Sequence, residues 1–320
     1  MTEINRARRG AVTRRRFLAA AAGLATGATL YRGDSRAAAG PLMTRPIPRT
    51  GERLPAVGLG TAIVFDIGED ALRRAERSLV IAALVENGAR VIDTAPSYGT
   101  AESVVGDLVA ALGARERVFL ATKVRAAQRD AAAAEMQSSL GRLRSGRLDL
   151  MQIHNPGADL AAAADQLALL REWKQQGVFR HVGVTHFRES ANERLIALME
   201  RETLDFVQVN YSMAERSAER RLLAAAAATG TAVLVNLPFA RGKLFAAVRG
   251  KQVPEWAAEF DAASWAQFFL KYVLAHQAVT CVIPGMDKPE YVLDNLGAAR
   301  GRLPDAAMRG KMAGFLDALR

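Results

Sequence analysis

Eight short apolar runs, each followed by a longer stretch with helical periodicity, recur between Ala56 and Leu296. The runs are Ala56–Ala62, Ala89–Asp93, Val118–Lys123, Leu148–His154, His181–Thr185, Phe206–Asn210, Ala232–Asn236 and Val279–Ile283. They are rich in the β-branched residues that suit buried strands. The stretches Ala71–Glu86, Ala101–Leu112, Ala131–Leu143, Leu160–Gln176, Ser190–Arg201, Ala218–Ala228, Ser264–His276 and Pro289–Leu296 predict helices. Asn87-Gly88, Gly113, Gly177 and Gly230 stand where helices should stop. The alanine runs at 131–134, 161–164 and 224–228 fall on these helices, as expected of the best helix former.

Eight βα units in about 240 residues is the count of a (β/α)8 TIM barrel, an α/β fold. A doubly wound sheet is the rival. Its dinucleotide fingerprint is missing, because Gly58-Leu59-Gly60 continues as Thr61-Ala62-Ile63. The first helix also starts too far past the first strand to hold a phosphate at its N-terminus. Pro46, Pro48 and Thr50-Gly51 make residues 44–54 a hairpin laid across the barrel floor. Asp305–Leu319 predicts one extra helix at the C-terminus.

The formal charge of +10 is unevenly placed. Eight Arg against Glu3 and Asp34 put +6 of it in residues 1–40. The body is mildly basic and its signs are mixed. No basic stripe carries interleaved aromatics, which argues against nucleic-acid binding. Thr13-Arg14-Arg15-Arg16-Phe17-Leu18 precedes an Ala-rich apolar run that ends at Leu30 and is interrupted by Gly23 and Gly27. That run is short of the roughly 20 apolar residues that span a bilayer. With Ala37-Ala38-Ala39 it reads as a cleavable signal peptide. The Arg pair followed by Phe-Leu resembles a twin-arginine export signal. Residues 1–40 are therefore expected to be a leader and 41–320 a barrel domain. The implied partner is the twin-arginine translocation machinery, and the destination is the periplasm, with cleavage after Ala39 and no transmembrane segment left behind. An uncleaved leader would instead hold the protein at the membrane surface. Cys281 is the sole cysteine, so no intrachain disulfide forms, and its apolar surroundings predict a buried thiol.

In such a barrel the chemistry sits at the C-terminal ends of the strands. Asp93, Lys123 and His154 end three consecutive predicted strands, and Tyr98 lies on the loop past Asp93. A phenol is a weak acid at neutral pH, and a neighbouring ammonium stabilises its anion. Lys123 supplies that charge and Asp93 holds it in place. Tyr98 can then protonate a carbonyl oxygen while hydride arrives at the carbon. His154 can donate a hydrogen bond to the same oxygen.

Asp93-Thr94-Ala95-x-x-Tyr98-Gly99, Ala121-Thr122-Lys123 and Gln152-Ile153-His154-Asn155 together resemble the aldo-keto reductase family. The likeness runs from Gly58-Leu59-Gly60-Thr61 to Asp294-Asn295. It implies a barrel that binds NADPH without a Rossmann motif and reduces a small aldehyde or ketone. Gly183-Val184-Thr185-His186-Phe187 is similar to the family's G-V-S-N-F, whose Ser and Asn hold the carboxamide. Here Thr185 and His186 take those places. Gln208 matches a further carboxamide partner, and Thr61 is carried over as a cofactor neighbour. Asn236-Leu237-Pro238-Phe239-Ala240-Arg241-Gly242 is similar to Y-S-P-L-x-R-G. The stacking aromatic is therefore Asn236 here, with Phe239 able to compensate, and Arg241 and Lys243 face the pyrophosphate. Asp294 and Asn295 match the adenine-binding acid and Asn. Tyr291 replaces the Arg that grips a 2′-phosphate and leaves Lys288 as the nearby cation, so NADH is admitted beside NADPH.

Two other readings remain open at this stage. A metal-dependent barrel hydrolase would draw on His154, His186 and Asp93, but the first strand lacks the paired His it needs, and no metal site is expected. A redox-silent barrel that binds cofactor and a partner without turnover would fit the changes at His186, Asn236 and Tyr291. Among the remaining residues, His181 is expected at the barrel floor. His276 is expected as a cation at a helix C-terminus, and Trp173 and Trp265 as packing residues. Trp256, in the long loop after the seventh strand, is a candidate pocket residue.

Overall fold

The computed structural model describes residues 40–319. The segment expected to be an export signal lies outside them, except for Gly40. A two-stranded antiparallel hairpin, β1 (Thr44–Pro46) and β2 (Arg53–Pro55), comes first. The barrel strands follow as β3 (Leu59–Gly60), β4 (Val91–Asp93), β5 (Phe119–Val124), β6 (Leu148–His154), β7 (Phe179–His186), β8 (Phe206–Asn210), β9 (Ala232–Asn236) and β10 (Val279–Val282). They pair in parallel in chain order. Parallel bridges Val57–Val282 and Gly60–Gly285 close the sheet on itself. The closure explains why the first barrel strand is shorter than its apolar run: its flanks bond across the seam, where Gly58 donates to Val282 O at 2.8 Å and Gly60 to Pro284 O at 3.0 Å. A Cβ on Gly60 would lie 2.6 Å from Ile283 O, so the seam requires glycine there.

The helices are α1 (Ala71–Glu86), α2 (Ala101–Ala111), α3 (Arg129–Arg142), α4 (Leu160–Gln175), α5 (Asn192–Arg201), α6 (Leu222–Ala228), α7 (Lys243–Ala247), α8 (Trp265–Leu274), α9 (Pro289–Gly297) and α10 (Ala306–Asp317). Their starts are chemically marked. Asp70 accepts from the amides of Leu72 and Arg73, Asp159 from Ala161 and Ala162, and Asp305 from Met308. Helix α6 begins at Leu222, because Ser217–Glu219 form a separate 3-10 turn. Among the described residues no helix is long and apolar enough to cross a membrane.

Side chains alternate along each strand, and that alternation sorts the core. Ile92, Leu120, Met151, Val184, Val207, Val233 and Val282 face outward and pack in the layer beneath the helices. Val91, Phe119, Ala121, Leu150, Phe206, Leu234 and Cys281 face inward, where Ile47 and Leu54 of the hairpin join them and plug the floor. Glu52 of the hairpin also pairs with Arg90 and Arg180 at 2.9 and 2.7 Å. His181 lies buried on this floor between Phe119 and Phe206. The inward rows turn polar at their C-terminal ends. Asp93 follows Val91, Lys123 follows Ala121, Gln208 follows Phe206 and Asn236 follows Leu234. The fold thus builds a dry barrel with a polar rim.

Two expectations are corrected. Trp256 does not line the cavities at the polar rim. The loop after β9 folds into α7 and a 3-10 helix, Glu255–Phe260, which carries Trp256 onto Phe260, Phe268 and Phe315, with Lys311 over its ring at 4.3 Å. His276 is not a cation at a helix end. Burial, helped by the Arg309 charge, lowers its pKa and favours the neutral ring, whose Nδ1 accepts the Ala278 N–H at 3.3 Å.

Candidate active site

A cavity of about 460 Å³ opens at the polar rim. Its wall includes Asp93 and Tyr98 from one side of the barrel and His154, Thr185, Gln208 and Asn236 from β6 round to β9 on the other. Lys123 sits beneath the wall, fully buried.

The centre of the site is a buried ion pair. Lys123 Nζ donates to Asp93 Oδ2 at 2.7 Å and to Thr94 O at 2.8 Å. Burial works against the Lys123 charge, but Asp93 and the Tyr98 phenol outweigh it and hold the ammonium above its ordinary value. The second carboxylate oxygen of Asp93 accepts from Gln208 Nε2 at 2.7 Å and from Gln152 Nε2 at 3.2 Å. Asp93 therefore has no oxygen to spare for proton transfer and acts as an anchor.

Tyr98 stands over this pair, with Lys123 Nζ 4.8 Å from its ring centroid. Its loop is pinned from behind. Asp66 accepts from the Thr100 amide and hydroxyl, each at 2.9 Å, and Gly99 at φ +57° leaves no room for a Cβ against that carboxylate. The His154 ring meets Tyr98 edge-on at 5.9 Å. Burial, then the charges of Lys123, Arg125 and His186, push the His154 pKa down to about 3. The ring is neutral at any ordinary pH, and its Nδ1 is buried with no protein partner. It is a hydrogen-bonding group rather than a charge.

On the other side, Gln208 Oε1 accepts from Thr185 Oγ1 at 3.1 Å and from Asn236 Nδ2 at 3.3 Å. Thr61 donates to the Asp93 carbonyl at 2.9 Å. Thr61, Phe239 and Arg241 also line the cavity. Arg241 lies over the Phe187 ring at 5.6 Å and reaches an adjoining pocket of about 340 Å³ that includes Lys243. Four other expected residues lie outside the cavity wall. His186 turns to Phe187, stacking at 5.7 Å, and its Nδ1 accepts the Arg188 amide at 3.1 Å. Lys288 rests on the Tyr291 ring at 5.7 Å. Asp294 accepts from Ser264 Oγ at 2.9 Å and Gln267 Nε2 at 2.8 Å, and Asn295 is buried in α9.

Residues 56–310 match the Aldo/keto reductase family. The chain belongs to that family. This aldo/keto reductase is 33% identical over 234 residues to the methylglyoxal reductase YeaE of Escherichia coli, covering 72% of this chain and 80% of the relative. It is 32% identical over 248 residues to an aldo-keto reductase of Mycobacterium avium, covering 76% and 80%. Among solved structures, a Klebsiella pneumoniae aldo/keto reductase in complex with NADP and acetate superposes with a TM-score of 0.71 at 26% identity, covering 83% of this chain and 93% of that one. This aldo/keto reductase is accordingly an oxidoreductase built on a (β/α)8 barrel.

Several wall residues are not among the expected site residues. Asn155 and Leu237 directly follow His154 and Asn236 with φ near +57° and +51°. This left-handed step turns each chain out of its strand while keeping the residue on the cavity. Ile63 and Val64 supply an apolar edge, and Arg125 a charged one. The readable signal for Arg125 was its spacing of two from Lys123, which repeats the inward alternation of β5.

Proposed function

We propose that this aldo/keto reductase reduces an aldehyde or ketone with a nicotinamide cofactor, NADPH with NADH admitted, and that Tyr98 is the proton donor. The observation that carries the reading is the buried Lys123 ammonium, fixed by Asp93 and set beneath the Tyr98 ring. A nicotinamide bound in the cavity would supply the hydride for the carbonyl carbon. Tyr98 gives its proton to the carbonyl oxygen, and the Lys123 charge stabilises the phenolate left behind. Neutral His154 offers an N–H to the same oxygen and orients it. Asp93 holds Lys123 and exchanges no proton.

The wall suits a carboxamide. Asn236 Oδ1 is buried without a partner, an acceptor waiting for an N–H, and the Thr185 hydroxyl lies on the same side. Arg241 and Lys243 supply cations where the adjoining pocket begins, and Lys288 supplies one beside Tyr291. The reductase name of the Escherichia coli relative and the NADP in the Klebsiella structure support the same chemistry. The leader reading adds export of the folded protein by the twin-arginine machinery to the periplasm.

The test is nucleotide oxidation with a panel of aldehydes and ketones, in the unaltered protein and in Tyr98→Phe. Removing the proton donor should lower kcat by about 10²–10⁴-fold and leave nucleotide affinity intact. Equal turnover in Tyr98→Phe overturns the assignment. Tight nucleotide binding with no turnover of any carbonyl by the unaltered protein would favour the redox-silent barrel.

A further inference from the structure

Arg125 lines the cavity together with Tyr98, His154 and Ile63. Only its backbone is engaged. The Arg125 amide donates to Glu135 Oε2 at 3.0 Å, and Ala126 donates to the same oxygen at 2.9 Å. This clamp fixes the loop and engages the Glu135 carboxylate. Among the described residues, no hydrogen bond or ion pair holds the guanidinium itself. The cavity has two other charged wall residues. Asp93 is spent on Lys123, and Arg241 lies over the Phe187 ring. Among the described residues, Arg125 and Arg241 are the wall cations without an ion pair, and the wall carries no unpaired negative charge.

A free guanidinium fork facing a cavity is a carboxylate receptor, since its paired N–H groups match two carboxylate oxygens. We propose that Arg125 binds the carboxylate of the substrate, and that this reductase prefers short oxo acids over neutral carbonyl compounds. Arg125 and His154 line the same cavity, and the Arg125 charge is felt at the His154 ring. A carbonyl held at Tyr98 and His154 can therefore present a carboxylate on the same short molecule to Arg125. The inference rests on the carbonyl-reductase reading above.

The experiment compares kcat/KM for a four-carbon oxo acid bearing a terminal aldehyde with that for its methyl ester. The unaltered protein should favour the acid about tenfold, the lower end of what a charge-assisted hydrogen bond contributes, because the site is open to solvent. The preference should shrink as salt is raised. In Arg125→Gln the acid-to-ester ratio should fall to about one through KM for the acid, and Arg125→Lys should retain part of it. An acid-to-ester ratio of one in the unaltered protein, or a ratio that Arg125→Gln leaves unchanged, overturns the proposal. If neither compound is reduced, the reductase reading fails, and calorimetric binding of succinate to the nucleotide-loaded protein decides the role of Arg125. Affinity about tenfold weaker in Arg125→Gln supports the anchor, and equal affinity overturns it.

Discussion

Gln208 Nε2 donates to Asp93 Oδ1 at 2.7 Å, a hydrogen bond that crosses the barrel from β8 to β4. It joins the two halves of the site. Gln208 is held on one side by Thr185 and Asn236, and Asp93 on the other by Lys123. A carboxylate that fixes the ammonium beneath Tyr98 is thus itself fixed by the wall opposite. Buried polar chains of this kind are costly when one member is removed, because each remaining group has lost its water and then loses its partner.

Asp93→Asn should show that cost. It leaves the buried Lys123 charge without its counterion, and breaking a buried pair from one side destabilises by about 3–5 kcal/mol. Removing both charges in Asp93→Asn/Lys123→Met should restore much of the stability but none of the turnover. Denaturant unfolding of the two variants measures the first effect and nucleotide oxidation the second. A single variant as stable as the unaltered protein would refute the anchor role.

His154 gives a pH prediction with a defined sign. Its folded pKa of about 3 lies below the ordinary value of 6.5. The unfolded chain therefore takes up a proton that the folded one refuses between those values. The stability that the neutral ring contributes is full above pH 6.5 and is lost as pH falls toward 3. At pH 5 the loss from this residue is about 2 kcal/mol, and His154→Gln should abolish that share. Because the ring stays neutral, kcat/KM for a neutral carbonyl should show no limb near 6.5 that belongs to His154. A limb there that disappears in His154→Gln would contradict the neutral ring.

The barrel was legible where inward and outward rows both carry signal. The runs Leu148–His154, Phe206–Asn210 and Ala232–Asn236 predict the strands found, with apolar residues beneath and a polar residue at the rim. The first strand was less legible. Barrel closure divides its apolar run between β4 on one side and the seam with β10 on the other. Asp93, Lys123 and His154 could be placed together because strand ends in a barrel share one rim. Their burial could not be read, and burial is what makes His154 neutral and the ion pair rigid. Trp256 was misplaced because an aromatic in a long loop carries no period to say which way it faces. Arg125 was passed over because a charged residue just past a strand has the composition of any solvated surface.

Tyr291 bears on the choice of nucleotide. It is 48% exposed and carries no charge, with Lys288 over its ring. A phenol cannot grip a phosphate dianion as a guanidinium fork does. Discrimination between NADPH and NADH should therefore be modest in the unaltered protein. Tyr291→Arg should raise it by about tenfold, one charge-assisted hydrogen bond at an exposed site. Fluorescence titration with both nucleotides measures it. Strong NADPH selectivity in the unaltered protein would contradict the role given to Tyr291.

Export is the last expectation. Thr13-Arg14-Arg15-Arg16-Phe17-Leu18 is expected to act as an address read by a receptor rather than as an anchor. The apolar run behind it is interrupted by Gly23 and Gly27, which suits the twin-arginine route better than the general secretory one. That route carries folded proteins. Nothing in this chain requires an oxidising compartment, because Cys281 has no partner cysteine, and burial pushes its thiol pKa up and leaves it inert. A nicotinamide-binding barrel also gains by folding where the nucleotide is made. Replacing Arg14, Arg15 and Arg16 with Lys keeps every charge and changes only the address. The variant should accumulate in the cytoplasm, while the unaltered protein should appear in the periplasmic fraction with Gly40 as its first residue. Normal export of the Lys variant would refute the twin-arginine reading, and an exported form that still begins at Met1 would show that the leader is retained.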